Sequence, residues 1–297
     1  MKQLLILSGK GGTGKTTAAG VFAALAPNKI LVDCDVDAAD FHLLLAPEIL
    51  ETHDFDALPG AKIDPGLCNG CGICASVCRF EAALKQADGK YYVDPYLCEG
   101  CRVCVTACPA GAISLVDRLA GQWFVSSTRF GPLIHARLIP GEENSGLLVA
   151  KIRQVATQKA NEKGYDLIII DGPPGIGCPV ISSLTGIDLA LIITEPTVAG
   201  KHDLERVIQL ARHFNIPVQV AINKWDLAPE KTDDIEAYCA AENIPVAGRI
   251  PFDAELVKSI AGGKTAVEAH SGPGTEALVA LWENMSRILQ NKSAQNQ

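Results

Sequence analysis

Short apolar runs alternate with longer amphipathic stretches along most of this chain. Several of the runs are continuous rather than alternating and end at glycine or aspartate, which is typical of strands buried on both faces of a parallel sheet. The pattern predicts buried strands over 4–7, 30–32, 166–171, 188–194, 218–222 and 246–250. It predicts helices over 16–25, 145–163, 200–214, 230–242, 253–261 and 274–290. Because strand and helix alternate, we expect an α/β fold with a mostly parallel sheet.

A cysteine-rich segment interrupts this alternation. The spacing C-x2-C-x2-C-x3-C occurs twice, and each cysteine of the first copy recurs 30 positions later. Turn-forming residues flank the segment, at 58–60 on one side and 117–121 on the other. The sequence therefore predicts one α/β domain made of residues 1–59 and 119–297, with a second domain inserted over 60–118.

Composition narrows the classes of partner. The chain has 297 residues, of which 48% are hydrophobic, a net charge of −8 and a pI of about 5.3. Non-specific nucleic-acid binding depends on neutralising phosphates with Lys and Arg, so an acidic chain without a basic run is a poor candidate for it. We expect no nucleic-acid partner.

The chain also lacks sequence signals for a membrane. No stretch approaches the roughly 18 apolar residues of a membrane helix, and the apolar run at 4–7 is too short for a signal peptide. We therefore expect a cytoplasmic protein with no membrane partner. In that compartment, eleven cysteines indicate metal ligation rather than disulfides.

A phosphate-binding loop follows the first predicted strand. Residues 9–16 match G-x-x-x-x-G-K-[ST], with a strand before and a helix after. Glycines let backbone N–H groups converge on phosphate oxygens, and the helix N-terminus adds positive potential. The motif assigns nucleotide binding to Gly11, Gly12, Thr13, Gly14, Lys15, Thr16 and Thr17. Lys15 would reach the β- and γ-phosphates, and Thr16 would place a hydroxyl on Mg2+.

A second lysine, Lys10, stands inside this loop and gives it the form K-G-G-x-G-K-T-T. This is the deviant Walker A motif, and with it the sequence resembles the MinD/ParA superfamily, which includes the nitrogenase iron protein and Mrp-type cluster carriers. The resemblance implies an ATP-dependent homodimer in which Lys10 crosses to the partner's nucleotide and stabilises transition-state charge.

The resemblance also assigns the acidic residues and the base contacts. The aspartates after the second strand correspond to switch I, where we favour Asp35 for the catalytic and Mg2+ position and Asp37 as second choice. Asp171 corresponds to the Walker B aspartate that holds Mg2+. Asn223 and Pro251 match base-contacting positions, and we favour ATP. Residues 223–226 read alone, N-K-x-D, are also the guanine signature of GTPases.

The doubled cysteine spacing is that of bacterial two-cluster ferredoxins, in which the fourth cysteine of each run binds the other cluster. This predicts two 4Fe-4S clusters. Cluster I would use Cys68, Cys71, Cys74 and Cys108. Cluster II would use Cys98, Cys101, Cys104 and Cys78. Zinc is the alternative, although it prefers two separated C-x2-C pairs. Arg79 stands where proline usually follows the fourth cysteine.

Three cysteines lie outside the repeat. Cys34 and Cys239 have the character of packing residues. Cys178 lies seven residues after Asp171, the offset at which the nitrogenase iron protein binds a bridging cluster. The second bridging cysteine would be expected within residues 141–146, and that segment contains none. A structural or redox-sensitive thiol is therefore favoured for Cys178.

Three functions compete at this point. The first is an ATP-hydrolysing redox protein that passes electrons through two clusters to a partner protein. The second is an iron–sulfur cluster assembly or carrier ATPase acting on an iron–sulfur partner. The third is a redox-gated positioning or scaffold ATPase. The insert leaves the chain just after the switch I segment, which favours coupling between nucleotide and clusters.

Overall fold

The protein's structure is a computed structural model that describes residues 1–37, 39–56, 58–140, 142 and 145–294, with side chains as far as residue 291. The chain forms two compact units. The first comprises Met1–Thr52, Trp123–Arg137 and Ser145–Gln297, and the second comprises His53–Gln122 and Leu138–Asn144. The second unit contains the whole predicted insert, 60–118. It also takes in residues on either side and a later return segment.

The strands are numbered in chain order as β1 (Lys2–Ser8), β2 (Lys29–Asp33), β3 (Glu48–Asp56), β4 (Gly60–Ile63), β5 (Ala83–Lys85), β6 (Tyr91–Val93), β7 (Ile113–Val116), β8 (Leu119–Thr128), β9 (Gly131–Leu138), β10 (Leu167–Pro174), β11 (Leu189–Thr194), β12 (Val218–Asn223) and β13 (Val246–Ile250). Nine of them form one sheet in the order β13-β12-β11-β1-β10-β2-β9-β8-β3. The six neighbouring pairs from β13 to β9 are parallel. This confirms the α/β fold and its mostly parallel sheet.

The helices are α1 (Lys15–Leu25), α2 (Phe41–Leu45), α3 (Ile73–Val77), α4 (Val103–Ala107), α5 (Ser145–Lys163), α6 (Cys178–Leu184), α7 (Val198–His213), α8 (Pro229–Ala241), α9 (Ala254–Ala261), α10 (Ala266–Ala269) and α11 (Pro273–Ala294), with a 3-10 turn at Trp225–Leu227. All six helices expected from the sequence are present, with ends shifted by at most a few residues. Within the described residues, no helix has both the length and the apolar character needed to cross a membrane.

The central strands are held in a register that aligns their carboxyl ends. Asp171 of β10 lies opposite Ile6 of β1 on one side and opposite Asp33 of β2 on the other. Parallel strands end at the same sheet edge, and ligands of open α/β sheets bind there. The phosphate loop after β1 and both carboxylates therefore meet at one edge.

The core on one face of the sheet is built by α1 and α11. Phe22 of α1 is fully buried, and its ring centroid lies 5.1 Å from that of Trp282 on α11. The apolar stripe that the sequence shows near its C-terminus is also buried, with exposures of 5% or less at Leu278, Leu281, Met285 and Leu289. This stripe closes the core of the first unit.

Strands β8 and β9 form a hairpin that the sequence pattern did not predict. They are neighbours in the sheet and are joined by the two-residue turn Arg129–Phe130. The guanidinium of Arg129 donates to both carboxylate oxygens of Glu268, at 2.6 and 2.8 Å, and to the carbonyls of Leu44 and Leu45. The hydrogen bonds from Arg129 to Glu268 lower the pKa of Glu268 to about 2. Arg129 thus joins the hairpin to α2 and α10.

The second unit shows an internal repeat in three dimensions. Strand β4 pairs antiparallel with β7, and β5 pairs antiparallel with β6. The five-residue helices α3 and α4 stand 30 positions apart and start from equivalent left-handed residues, Gly72 with φ 79° and Arg102 with φ 66°. A β-carbon disfavours this conformation, so Arg102 adopts at a cost a geometry that Gly72 adopts freely.

Burial of His135 predicts acid sensitivity of the first unit. Its Nε2 lies 2.9 Å from Ser126 Oγ, its ring stacks on Phe124 and on His42, and burial lowers its pKa to about 4. A histidine in the unfolded chain protonates near pH 6.5. The folded state should therefore lose stability as the pH falls from about 6.5 towards 4, by about 2 kcal/mol between pH 7 and pH 5.

Urea unfolding of His135→Gln at pH 7 and pH 5 tests this expectation. The variant should lose about 2 kcal/mol less than the parent between the two pH values. The matched control is His213→Gln, because His213 is exposed at the end of α7. Equal pH dependence in the parent and in His135→Gln would contradict the prediction.

Candidate functional site

The loop between β1 and α1 has the backbone that phosphate binding requires. Gly12 and Gly14 have φ values of 77° and 97°, which favour glycine. A β-carbon on Gly14 would also lie 2.5 Å from Asn223 Nδ2, whereas Gly11 and Gly12 face open space. Lys15 begins α1, directly after the loop. The sequence-predicted residues from Gly11 to Thr17 therefore form one continuous loop and helix start.

Three carboxylates of the first unit gather beside this loop. Thr16 Oγ1 donates to Asp171 Oδ2 at 2.7 Å, and Asp33 Oδ1 accepts from the backbone N–H of Asp35 at 3.1 Å. Burial raises the pKa of Asp33 well above its ordinary value, and the charge of Asp171 raises it further. Burial also raises the pKa of Asp171 to about 6, against the lowering effects of Lys15 and Thr16. These three carboxylates repel one another when ionised, and a bound cation would offset that repulsion.

The unpaired atoms of this region support the same conclusion. Buried oxygens without a hydrogen-bond partner include Thr13 Oγ1, Asp33 Oδ2 and Asp171 Oδ1. Buried polar atoms are normally paired, so orphans of this kind point to a ligand. Mg2+ prefers a hydroxyl, carboxylates, water and phosphate oxygens. The donor set of Thr16, Asp171 and Asp33 fits Mg2+ with a nucleotide.

The two predicted switch I aspartates differ in position. Asp35 is half-buried, and its charge acts on both Asp33 and Asp171. Asp37 is exposed, and partial burial of its carboxyl group raises its pKa. The structure thus brings Asp35 to the cation region and leaves Asp37 towards the surface. Asp33, which the sequence analysis did not select, is the most buried of the three.

Lys10 contacts a residue that the sequence analysis did not select. Its Nζ lies 3.0 Å from Glu195 Oε2, and Lys224 Nζ contacts Glu195 Oε1. Burial acts to raise the pKa of Glu195, but hydrogen bonds from Lys224 and Lys10 outweigh it and lower that pKa. Glu195 directly follows β11. An acidic residue directly after a buried strand is the sequence signal by which Glu195 could have been selected.

The predicted base-contacting residues stand next to the same loop. Asn223 Nδ2 donates to the carbonyl of Thr13 at 2.8 Å. Asp226 Oδ1 accepts from the backbone N–H of Phe252 at 2.7 Å, which places the segment after Pro251 beside the N-K-x-D turn. Asn223 therefore fixes the phosphate loop, and one oxygen of Asp226 is engaged by the protein itself.

The cysteines of the second unit lie in two groups. Cys68, Cys71, Cys74 and Cys108 line one cavity, together with Tyr91 and Ile113. Burial raises the pKa of the Cys104 thiol, and the neighbouring Cys98, Cys101 and Cys78 raise it further. The fourth cysteine of each run thus lies with the first three of the other run.

Backbone N–H groups point at three of these sulfur atoms. Ala112 N lies 3.4 Å from Cys108 Sγ, and its repeat equivalent Ala82 N lies 3.4 Å from Cys78 Sγ. Ala61 N lies 3.5 Å from Cys98 Sγ. Within the described residues, no group of three or more His, Cys, Asp or Glu side chains is arranged around a single metal ion.

Comparison with known proteins decides the family. The model of the CobQ/CobB/MinD/ParA nucleotide binding domain matches residues 4–266. The chain belongs to this family. The MinD/ParA-type chain is thus a P-loop ATPase by fold.

Relatives and solved structures agree with this family. The uncharacterized protein MJ0578 of Methanocaldococcus jannaschii is 32% identical over 97% of both chains. A Drosophila willistoni protein described as a cytosolic Fe-S cluster assembly factor Nubp1 homolog is 26% identical over 39% of this chain and 44% of its own length. The Pyrococcus horikoshii septum site-determining protein MinD, complexed with Mg-ADP, matches 97% of this chain and 96% of its own, with a TM-score of 0.57 and 16% identity. At that identity the likeness shows the fold alone.

The cysteines outside the repeat of this MinD/ParA-type chain occupy different environments. Cys34 and Cys239 are fully buried, and burial raises the pKa of both thiols, that of Cys239 to about 11. Cys178 is exposed at the start of α6, where a β-carbon on Gly146 would lie 3.1 Å from Cys178 Cβ. In the segment expected to hold a second bridging cysteine, residues 141, 143 and 144 lie outside the described residues.

The bond between Asn223 and the phosphate loop predicts a nucleotide-affinity defect. Asn223→Ala removes the hydrogen bond to Thr13, and such a bond at a part-buried site contributes about 1 kcal/mol or more. We expect Mg-ATP binding, measured by titration calorimetry, to weaken by about fivefold to tenfold. The matched control is Asn284→Ala, because Asn284 Nδ2 on α11 donates to the carbonyl of Ala247 on β13, away from the phosphate loop. An equal loss of affinity in both variants would contradict a specific role for Asn223.

Proposed function

We propose that this protein is an ATP-hydrolysing redox protein. ATP binding and hydrolysis at the phosphate loop would be coupled to electron transfer, through two 4Fe-4S clusters in the second unit, to a partner protein. The observation that carries the proposal is that the four predicted cluster I cysteines line one cavity, although 34 positions separate Cys74 from Cys108. We place the protein in the cytoplasm, where thiols stay reduced.

The environments of the eight cysteines support two iron–sulfur clusters. A 4Fe-4S cluster is bound by four thiolates on four different irons, so its cysteines surround a volume rather than one metal ion. Two observations support the crossed sets: Cys108 lines a cavity with Cys68, Cys71 and Cys74, and Cys78 is among the cysteines that raise the pKa of the Cys104 thiol. Backbone N–H groups also approach Cys78, Cys98 and Cys108. Hydrogen bonds to sulfur are among the features that tune cluster potential. When bound, each cluster would accept and release one electron.

The first unit provides the residues of a nucleotide site. Backbone N–H groups from Gly11 to Thr16 would bind the phosphates, and Lys15 would neutralise their charge. Thr16, Asp171 and Asp33 would hold Mg2+, which when bound draws charge from the β- and γ-phosphate oxygens. Asp35 would orient the attacking water, because it is half-buried and lies close enough to the carboxylate of Asp171 to raise its pKa.

Lys10 would complete the site of a second subunit. In the single chain its charge is engaged by Glu195, 3.0 Å away. In an ATP-bound homodimer Lys10 would leave Glu195 and contact the phosphates of the other subunit. Lys224 contacts the same carboxylate and would keep its charge neutralised after that exchange.

A second function, iron–sulfur cluster assembly, is favoured by one comparison. The Drosophila willistoni relative is described as a cytosolic Fe-S cluster assembly factor, although it matches only 39% of this chain. The environments of the cysteines favour electron transfer through resident clusters. Cys74 is buried and the other thiolates, except those of Cys71 and Cys101, are half-buried, which suits resident clusters better than clusters held for release.

Redox titration with and without nucleotide tests the coupling. We expect at least one cluster midpoint potential of the reconstituted protein to change on addition of Mg2+ and a slowly hydrolysed ATP analogue, and the ATPase rate to differ between reduced and oxidised protein. Lys15→Ala should abolish both effects. If neither quantity responds and the clusters move to an apo-ferredoxin in an ATP-dependent way, the assembly function replaces this one.

The ion pair between Lys10 and Glu195 within one chain predicts how removal of the Glu195 charge changes ATP-dependent dimerisation. Glu195→Gln removes the carboxylate that holds Lys10, so dimerisation should need several-fold less ATP analogue in sedimentation velocity experiments. The matched control is Glu236→Gln, because Glu236 forms an exposed ion pair with Arg249. Lys10→Ala should not dimerise at any nucleotide concentration. An unchanged dimerisation midpoint in Glu195→Gln would refute competition between the two partners of Lys10.

A further inference from the structure

We propose that electrons leave the second unit from cluster II, where Arg79 and Arg102 bind an acidic surface of the partner protein. This inference rests on the proposed function, which assigns two clusters to the crossed cysteine sets. It goes further by naming the cluster that exchanges electrons and the chemistry of the partner. The step is the transfer of one electron to an acceptor of the partner, a flavin or an iron–sulfur cluster, and no bond forms or breaks.

The two cysteine sets differ in the charge next to them. Arg79 directly follows Cys78, the crossed cysteine of cluster II, and the equivalent residue of cluster I is Pro109. Arg102 stands within the second cysteine run, and its equivalent in the first run is Gly72. Both arginines are exposed, and within the described residues neither guanidinium has a carboxylate partner. Two positive charges are therefore available beside cluster II, and cluster I has an uncharged residue at each equivalent position.

The cysteines next to the two arginines lie close to each other. Cys78 and Cys101 are both near enough to Cys104 to raise the pKa of its thiol. Arg79 is covalently next to Cys78, and Arg102 is covalently next to Cys101, which is exposed. One partner docked over Cys101 would therefore contact both guanidinium groups.

Tyr91 fills the space at cluster I that Arg102 occupies at cluster II. A β-carbon on Gly72 would lie 3.0 Å from Tyr91 Oη, and Tyr91 lines the cavity of the cluster I cysteines. The repeat equivalents of Tyr91 and Gly72 are Ala61 and Arg102. Ala61 N lies 3.5 Å from Cys98 Sγ, which places this small residue beside the cluster II cysteines. An aromatic ring thus shields cluster I, whereas cluster II has an exposed, charged side chain at the same place.

The exposed residues 79–80 and 102–103 form a surface that we call the cluster II corner. Phe80 and Val103 directly follow the two arginines and are 44% and 48% exposed. Arginine and aromatic side chains are enriched in protein interfaces, which favours a protein partner over a small molecule. Glu81 is an exposed acid beside this corner, whereas Glu99 is half-buried and interacts within the chain. Because the whole chain carries a net charge of −8, an acidic partner would be repelled elsewhere and steered to the two arginines.

Electron transfer to two protein acceptors of opposite charge tests the sign of the partner surface. The reconstituted and chemically reduced protein is mixed in a stopped-flow instrument with an acidic flavodoxin or with basic cytochrome c. The parent is compared with Arg79→Gln, Arg102→Gln and the double variant. The matched control is Lys62→Gln combined with Lys85→Gln, which removes two exposed positive charges from β4 and β5 of the same unit.

At low salt we expect the double variant to react with flavodoxin about tenfold more slowly than the parent, and each single variant about threefold more slowly. High salt should remove these differences, because it screens exposed charges. The rate with cytochrome c should not fall in any variant. The lysine control should keep the parent's rate with flavodoxin.

A redox-inert anion measures the same surface without electron transfer. Tris(oxalato)chromate(III) is paramagnetic, so its approach to a reduced cluster speeds up the spin relaxation seen by electron paramagnetic resonance. Cys101→Ser and Cys71→Ser variants assign the signals of clusters II and I. The anion should act more strongly on cluster II than on cluster I, and this preference should be lost when both arginines are replaced. The cation hexaamminechromium(III) should show no such preference.

Four outcomes overturn the inference. A protein that takes up no clusters, or that reduces neither acceptor, refutes the proposed function as well. An unchanged flavodoxin rate in the double variant refutes the arginine contact but leaves the proposed electron transfer intact. Equal slowing with flavodoxin and cytochrome c shows that the arginines act on cluster potential and not on docking. A chromate effect that is equal at both clusters, or larger at cluster I, refutes the assignment to cluster II. The single variants decide the question if the double variant fails to hold cluster II.

Discussion

The parallel register of β10 between β1 and β2 is the constraint on which the nucleotide site depends. It sets Asp171 opposite Asp33 and beside the residues that lead into the phosphate loop. Each neighbouring strand then delivers one further group to the same edge, Glu195 after β11 and Asn223 at the end of β12. The main ATP-site residues are therefore gathered by strand order rather than by proximity in sequence. A slip of one residue would turn Asp171 to the opposite face of the sheet and separate it from Thr16.

Sequence patterns predicted the buried strands, which are continuous apolar runs, and the phosphate loop, whose residues have a fixed spacing. The runs that became β10 and β11 are almost entirely apolar, as expected for strands buried on both faces of a parallel sheet, and the phosphate loop has a fixed spacing of glycines and lysine. The choice among Asp33, Asp35 and Asp37 could not be made that way, because spacing does not tell where a strand ends. Glu195 was missed for a related reason, since its contact with Lys10 depends on β11 lying next to β1.

The hairpin β8–β9 shows a different limit. Its strands bury polar residues such as Ser126 and His135, which break the apolar pattern. Its turn, Arg129–Phe130, carries none of the usual turn residues. Instead, Arg129 is fixed by Glu268 and by backbone carbonyls far away in sequence. For the eight cysteines of the repeat, by contrast, spacing alone predicts a definite grouping, including the crossed fourth cysteine.

The buried pair Asp33 and Asp171 has a consequence for the life of the protein in a cell. Two adjacent carboxylates with raised pKa values oppose folding when both are ionised, and a bound cation removes that opposition. A ligand that binds only the folded state stabilises it in proportion to the logarithm of its concentration. The folded population, and with it resistance to proteolysis, is then linked to the supply of magnesium nucleotide.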